Sequence, residues 1–358
     1  MKINIIMPGY SPNPIGGYKI VYQYASFFAE QGHQVHIYES ISNKMELRKV
    51  SVLGRLRRIL LMLLWWCRLY RIPRPKWFSF PSDVIFESAD LMEHHRLKSA
   101  DCTIGVGLNT AEYLNNLSPK FGRRFYFIQG FETFLGTKAE VIESWHTNNH
   151  KIVISTKLQQ FGESIGEHSD LVQNFINQND FFVTRTIADR PVTISMLYHT
   201  LPDKGTDVGL QVLRNLKALI PDLNIILFGV YPRPSDLPRD YVYYQNASID
   251  QLREDVYNES AVFLVPSRNE GWGLTATEAM ACGAALVSTR NGGVEDFATD
   301  KTTALLSDVD DVDSLTRQAN ELLTNAKMRT EIATRGVHAV SDFTITKSGN
   351  TFLLCLQK

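Results

Sequence analysis

The chain has 358 residues, with 37 Lys and Arg against 38 Asp and Glu, a formal net charge of -1 and 44% apolar residues. That suits about two domains of ordinary size and excludes a disordered chain. Its four cysteines, Cys67, Cys102, Cys282 and Cys355, lie far apart with no Cys-x-x-Cys pair, so reduced thiols in a cytosolic protein are expected, not a disulfide framework or a cysteine metal site.

The opening MKINIIMPGY is too short in its apolar run for a signal peptide and reads as a first β-strand. Short apolar runs follow at 35–38, 103–106 and 124–128, alternating with helical patterns at 17–30 and 111–117. Such alternation implies βαβ units on a parallel sheet. The longest apolar run, residues 59–67, has nine residues, well short of the roughly 20 of a spanning helix. It lies in a cationic segment: residues 48–76 carry nine basic and no acidic residues, leaving 28 basic against 38 acidic elsewhere. With Trp65 and Trp66 inside it, the segment has the composition of an interfacial helix, and a nucleic-acid partner is not expected. A helix over 52–70 would bring Arg57, Arg68 and Arg71 within about 60° of one another, opposite Leu56, Ile59, Leu63 and Trp66. An anionic membrane surface is the expected partner; packing of the apolar run into the core is the competing outcome.

The polar residues Thr147, Asn148 and Asn149 mark an expected domain boundary, after which the pattern restarts with KIVIS, VTISML, LNIILFG, AVFLV and AALVS. The expected division is 1–149, 150–340 and a tail helix, 341–358, docking on the body. Parallel sheets bind ligands at the carboxyl ends of their strands, so the chemistry is expected in a cleft faced by the two sheets.

The most informative stretch is PSRNEGWGLTATEAMACGAALVSTRNGG, from Pro266 to Gly293. A strand is followed by a loop with Gly271 and Gly273, then a helix over about 274–281. A glycine-rich approach to a helix N-terminus suits an anion such as a diphosphate. Glu270 on the loop and Glu278 on the helix are carboxylates able to accept hydrogen bonds from vicinal hydroxyls, one from a ribose and one from a hexose; a surface ion pair or cap is the alternative for Glu278. The triplets at Asp308–Asp310 and Asp311–Asp313 could bind a metal, but their position before a helical pattern favours capping. His146 and His150 are spaced for one helix face without a third ligand. His94 and His95 are adjacent and would point apart.

On these residues the chain resembles the retaining family-4 glycosyltransferases of the GT-B fold, which carry a paired-glutamate signature. The likeness extends over nearly the whole chain, including GYSPNPIGGYKIVYQYASFFAEQGHQVHIYE, VQNFINQNDFF, LPDKG and NGGVEDF. RRFYFIQGFETF and KIVISTKL are similar to a bacterial branch with rhamnosyltransferases of surface-polysaccharide assembly. The resemblance implies an α/β chain of two Rossmann-like domains and a hexosyltransferase that moves a sugar, with dTDP-rhamnose a candidate donor, to a glycan or lipid-linked oligosaccharide. The implied setting is capsule, exopolysaccharide or O-antigen synthesis on the inner face of the cell membrane, with no metal and no cofactor beyond the nucleotide-sugar co-substrate. It implies that Lys204 contacts the donor diphosphate together with backbone N–H groups of Gly273, Leu274 and Thr275. Glu270 would hold donor-sugar hydroxyls and Glu278 the ribose, while Gly16 and Gly17 let the first loop approach the substrates. Two departures stand out. His199 occupies the position of an Arg that shares the diphosphate in many members, and Gln129 replaces a strand-end histidine, suggesting sugar contact instead of acid-base work. A sugar-nucleotide epimerase of the same fold and a non-catalytic nucleotide-sugar-binding membrane scaffold are the rival functions; the two glutamates argue against the scaffold.

Overall fold

A computed structural model of the chain describes residues 1–42, 52–67, 72–90 and 97–358. They form two compact units, Met1–Asn174 with Ile345–Lys358, and Phe175–Thr344.

In the first unit, β1 (Lys2–Met7), β2 (Gln34–Ser42), β3 (Val84–Asp90), β4 (Cys102–Val106), β5 (Arg123–Ile128), β6 (His150–Val153) and β7 (Ser169–Leu171) form one sheet in the order β3-β2-β1-β4-β5-β6-β7. Among its described residues every pairing is parallel. The central strands β1, β4 and β5 are largely apolar because a parallel sheet is covered on both faces: Ile3, Ile5, Ile6, Ile104, Phe125 and Phe127 are all buried. Helices α1 (Gly16–Glu30), α2 (Val52–Trp66), α3 (Leu108–Asn115), α4 (Lys138–Trp145) and α5 (Thr156–Ser164) accompany the strands.

The expected boundary at 149/150 is displaced, because the strand opening KIVIS completes the first sheet by pairing with β5. The polar run there is structural: buried Asn149 donates to the Ala111 carbonyl at 3.0 Å and to Thr147 Oγ1 at 2.9 Å. His146 and His150 do not share a helix face. His146 follows α4 and binds Glu167 at 2.9 Å, whereas His150 opens β6 and stacks on Phe125.

The second unit carries β8 (Thr193–Leu197), β9 (Asn224–Gly229), β10 (Val242–Gln245), β11 (Val262–Val265), β12 (Ala285–Thr289) and β13 (Ala304–Ser307), in the order β10-β9-β8-β11-β12-β13. These pairings are also parallel. Its helices are α6 (Thr206–Leu219), α7 (Leu274–Ala281), α8 (Val312–Thr324) and α9 (Ala326–Ser341), and a π-helical stretch covers Leu252–Tyr257. Ile194, Met196, Val212, Leu216, Leu227, Leu264, Val287 and Leu322 belong to one buried cluster. Arg190 is buried beside it, its guanidinium donating to the carbonyls of Tyr257 at 3.1 Å, Ser260 at 2.9 Å and Cys282. Carbonyl dipoles thus hold both terminal nitrogens of this buried cation, while its Nε makes no hydrogen bond among the described residues.

The tail helix α10 (Ile345–Cys355) returns to the first unit. Its Phe352 packs on Tyr24, Phe28 and Phe127 with ring centroids 4.9, 5.5 and 5.0 Å away. The expected terminal helix is present, and the body it docks on is the first unit.

Candidate active site

The second unit holds most of the expected catalytic and donor-binding residues, on or just after two loops at the carboxyl ends of adjacent strands. After β8, the chain turns through a 3-10 segment, Pro202–Lys204, and Gly205 into α6. After β11, it runs from Pro266 to Gly273 into α7. The loops are fastened to each other: Arg268 N and Asn269 N donate to the Asp203 carbonyl at 2.7 and 3.3 Å. The Arg268 side chain donates to the Pro202 carbonyl at 2.7 Å, to both Asp207 oxygens at 3.0 and 2.7 Å, and to Asp310 at 2.7 Å.

This fastening brings Lys204 onto Glu270. The ammonium donates to both carboxylate oxygens at 2.8 Å, Ser267 Oγ donates to Oε1 at 2.8 Å, and Glu270 N donates to the Asn291 carbonyl at 3.1 Å. A sequence separation of 66 is closed into one ion pair, and Ser267 and Arg268, which the sequence reading passed over, orient it. Gly205 permits the geometry: it has φ of 59° and ψ of 27°, and a Cβ there would lie 2.0 Å from the Pro266 carbonyl oxygen. Only glycine combines that conformation with so close an approach.

His199 lies beside the pair. Its Nδ1 accepts the Leu201 N–H at 3.0 Å, which leaves the proton of the neutral ring on Nε2. Burial and the neighbouring Lys204 ammonium both lower its pKa, so it offers one N–H donor and not the fork of an arginine.

Gly273 has φ of 103° and no side chain caps α7, so the first turn, with Leu274 and Thr275, presents backbone N–H groups and the positive dipole end. Glu278, further along α7, does not join Lys204 and Glu270. It accepts the Tyr257 O–H at 3.0 Å, and burial together with the Glu278 carboxylate raises the tyrosine pKa. Tyr257 has no motif signal in the sequence.

The aspartate triplets have other employment: Asp310 binds Arg268, and the Asp311 carboxylate accepts Ser314 N at 2.9 Å as the cap of α8. Among the described residues no group of three metal-ligating side chains occurs.

The first unit holds the remaining expected contacts. Gly16 and Gly17 open α1, and a Cβ on Gly17 would meet the Gln129 amide at 3.4 Å, so the structure brings that glycine pair and Gln129 together. In α2, Leu56, Ile59, Leu60, Leu63 and Trp66 are exposed, with 59% for Leu56 and 51% for Trp66. Trp65 is 5% exposed, so its expected place at a membrane face is corrected: it points into the protein because it lies roughly 100° around the helix from Trp66. Helix α2 ends at Trp66; Arg68, Arg71, His94 and His95 lie outside the described residues, and nothing is assigned to the Arg57 side chain.

Residues 177–338 match the family model described as "Glycosyl transferases group 1". A GDP-mannose-dependent alpha-(1-6)-phosphatidylinositol monomannoside mannosyltransferase from Mycolicibacterium smegmatis is 27% identical over 171 residues, 44% of each chain. The chain spans about half the length of the curated relatives it matches. Among solved structures, sucrose-phosphate synthase from Thermosynechococcus elongatus superposes with a TM-score of 0.76 at 14% identity, covering 100% of this chain and 98% of that one. Anabaena HepE in complex with UDP and glucose gives 0.70 at 14% identity, covering 100% and 99%. The chain therefore has the GT-B fold, and the part of it that matches the glycosyl transferases group 1 model, residues 177–338, lies within the second unit.

Proposed function

We propose that this protein is a retaining glycosyltransferase that moves a sugar from a nucleotide diphosphate donor to a hydroxyl of a glycan or lipid-linked oligosaccharide, in the assembly of a surface polysaccharide. The observation that carries the reading is the Lys204–Glu270 pair, built by two fastened loops beside the uncapped N-terminus of α7. Donor binding splits the pair. The ammonium moves to the diphosphate, where it offsets charge as the nucleoside diphosphate leaves, and Glu270 turns to the sugar hydroxyls. The N–H groups of Gly273, Leu274 and Thr275 supply the rest of the phosphate contact, with His199 adding one donor. Tyr257 holds Glu278 in place to accept the ribose hydroxyls. A departing diphosphate oxygen can take the acceptor proton on the face of attack, so positioning and charge stabilisation suffice, without a metal. dTDP-rhamnose is the candidate donor.

Calorimetry with UDP, GDP and dTDP tests the nucleotide site. The wild type should bind at least one of them. Glu278→Ala should weaken that binding by about 1.5 to 3 kcal/mol, the contribution of hydrogen bonds to a charged group. Glu278→Gln, which keeps an acceptor for the buried Tyr257 hydroxyl, separates lost affinity from lost folding. Unchanged affinity in both variants refutes the ribose role.

The exposed stripe of α2 supports docking on the cytoplasmic face of an anionic membrane. Leu56, Ile59, Leu60, Leu63 and Trp66 follow helical spacing on one side, in a segment rich in Arg and free of acid. Apolar burial in the headgroup region adds to about 1 kcal/mol for each basic residue near the surface. In sedimentation, the protein should pellet with vesicles containing phosphatidylglycerol but not with phosphatidylcholine alone. Arg57, Arg68 and Arg71 changed together to Gln should leave it in the supernatant. A wild type indifferent to anionic vesicles at low salt ends the membrane reading.

A further inference from the structure

Between α2 and β3 the described chain runs from Ile72 to Asp83 without helix or strand, yet it is tied down on β3 and α1. Ile72 N donates to Ser88 Oγ at 3.2 Å, and Arg74 to the Val84 carbonyl at 2.7 Å. Trp77, Phe78 and Phe80 pack on Tyr22 of α1, with ring centroids 5.5, 5.4 and 4.9 Å away. Tyr22 is buried and fixed in turn by its O–H, which donates to Glu39 at 2.6 Å. These rings hold the indole in place without help from its nitrogen. That nitrogen reaches elsewhere: Trp77 Nε1 donates to the Ser11 carbonyl at 3.2 Å. Ser11 lies in the connection from β1 to α1, residues 8–15, which has little to hold it from within. Pro12 and Pro14 have no N–H to donate, and no side chain caps α1. Ser11 Oγ donates to the Asn13 carbonyl at 2.8 Å and accepts its N–H at 3.4 Å. Two bonds from outside the connection fix its carbonyls, from the Tyr18 O–H to Gly9 at 2.7 Å and from Trp77 to Ser11. Ser11 is buried and residues 12–15 are exposed, so the Trp77 bond pins the chain just before the exposed stretch that leads into Gly16 and Gly17.

We propose that Trp77 is a positioning residue for the transfer reaction: through the Ser11 carbonyl it sets the loop that follows β1, at the end of the strand where parallel sheets meet their ligands. That it serves the transfer reaction rests on the transferase reading; that it holds the loop does not. One side chain divides two tasks. The ring belongs to the aromatic cover over α1, and the N–H alone reaches the loop, so Trp77→Phe removes the second task and retains the first. A loop released at Ser11 lets the approach to Gly16 and Gly17 shift, and a displacement of about 1 Å in a segment that positions substrate lowers a rate by up to about a hundredfold.

Hydrogen exchange followed by mass spectrometry on the full chain tests the hold. In Trp77→Phe, the amides of residues 9–17 should exchange about five to ten times faster than in the wild type, the equivalent of one hydrogen bond, while those of β1 keep their protection. Turnover of UDP-glucose, GDP-mannose or dTDP-rhamnose, with methyl glycosides of glucose, mannose and rhamnose as acceptors, should show kcat lower by about the same factor. Calorimetric affinity for UDP, GDP and dTDP should stay at the wild-type value. Phe80→Leu is the structural control: it loosens the packing on Tyr22, Phe78 and Phe86 and should lower the melting temperature at least as far as Trp77→Phe, yet leave loop exchange and kcat unchanged. Loop exchange unaltered in Trp77→Phe, or raised equally in Phe80→Leu, overturns the proposal, and so does faster exchange with an unaltered kcat. A wild type that binds no nucleoside diphosphate and turns over no donor strikes the transferase reading instead, and exchange alone then decides whether Trp77 holds the loop.

Discussion

Replacing Lys204 or Glu270 with alanine is expected to lower turnover by about two to three orders of magnitude, the usual cost of one lost electrostatic contact to a transition state. Stability should fall by only about 1 to 3 kcal/mol: the Lys204 and Glu270 side chains are 27% and 12% exposed, so each single variant leaves a partly buried charge without its partner. A fall in rate well beyond what that loss of stability removes from the folded fraction would place both residues in the chemistry. Either substitution also releases the other partner from a bond it makes to both oxygens, or to the ammonium, at 2.8 Å. A Lys204→Ala, Glu270→Ala double variant should accordingly be less impaired than the product of the two single effects, since groups acting as a unit are not additive. The same assay in excess EDTA should retain its rate if, as proposed, Lys204 and the start of α7 neutralise the diphosphate. Full loss with EDTA, restored by Mg²⁺, would reopen a metal role for Asp308 to Asp313 despite the engagement of Asp310 with Arg268. Near-normal rates in either purified single variant would end the site assignment.

The sequence exposed the strands that are apolar throughout, because a sheet covered on both faces demands it: Lys2–Met7 and Asn224–Gly229 are buried except at their first residue. It hid Val84–Asp90, where Glu87 and Asp90 interrupt the run, and Val242–Gln245, an edge strand with exposed ends. The boundary was misplaced for a different reason. Thr147 and Asn149 carry the composition of a linker, yet their side chains are used to tie a turn to the Ser144 and Ala111 carbonyls, and composition cannot distinguish a polar residue facing water from one satisfied inside. At the site, the glutamates and Lys204 were legible through the resemblance, each within its own motif. Their pairing was not, because it depends on Arg268 binding three parts of the chain, and a single arginine in a loop carries no such signal. Tyr257 was silent for the same reason: it reaches the candidate site through one long-range hydrogen bond, to Glu278.

Gly205→Ala is expected to damage fold and rate together, and it separates the two contributions of that glycine. An alanine at φ of 59° costs about 1 kcal/mol or somewhat more for the left-handed conformation alone. Its Cβ would also lie 2.0 Å from the Pro266 carbonyl oxygen and 2.8 Å from the carbonyl carbon, backbone atoms that cannot swing aside as a side chain would. The loop of Lys204 and the loop of Glu270 must then part, which opposes the bonds from Arg268 and Asn269 to the Asp203 carbonyl. Denaturant unfolding should show a loss of about 2 to 4 kcal/mol, in the range of substitutions that force a backbone shift. Turnover of the folded fraction should fall about a hundredfold, as if the ammonium had been removed. Gly166→Ala is the control: that glycine has φ of 79°, and a Cβ there meets nothing within 4 Å. It should lose about 1 kcal/mol and keep its rate. If the two variants are equally stable and equally active, the approach to Pro266 does not position Lys204, and the loop is held by Arg268 alone.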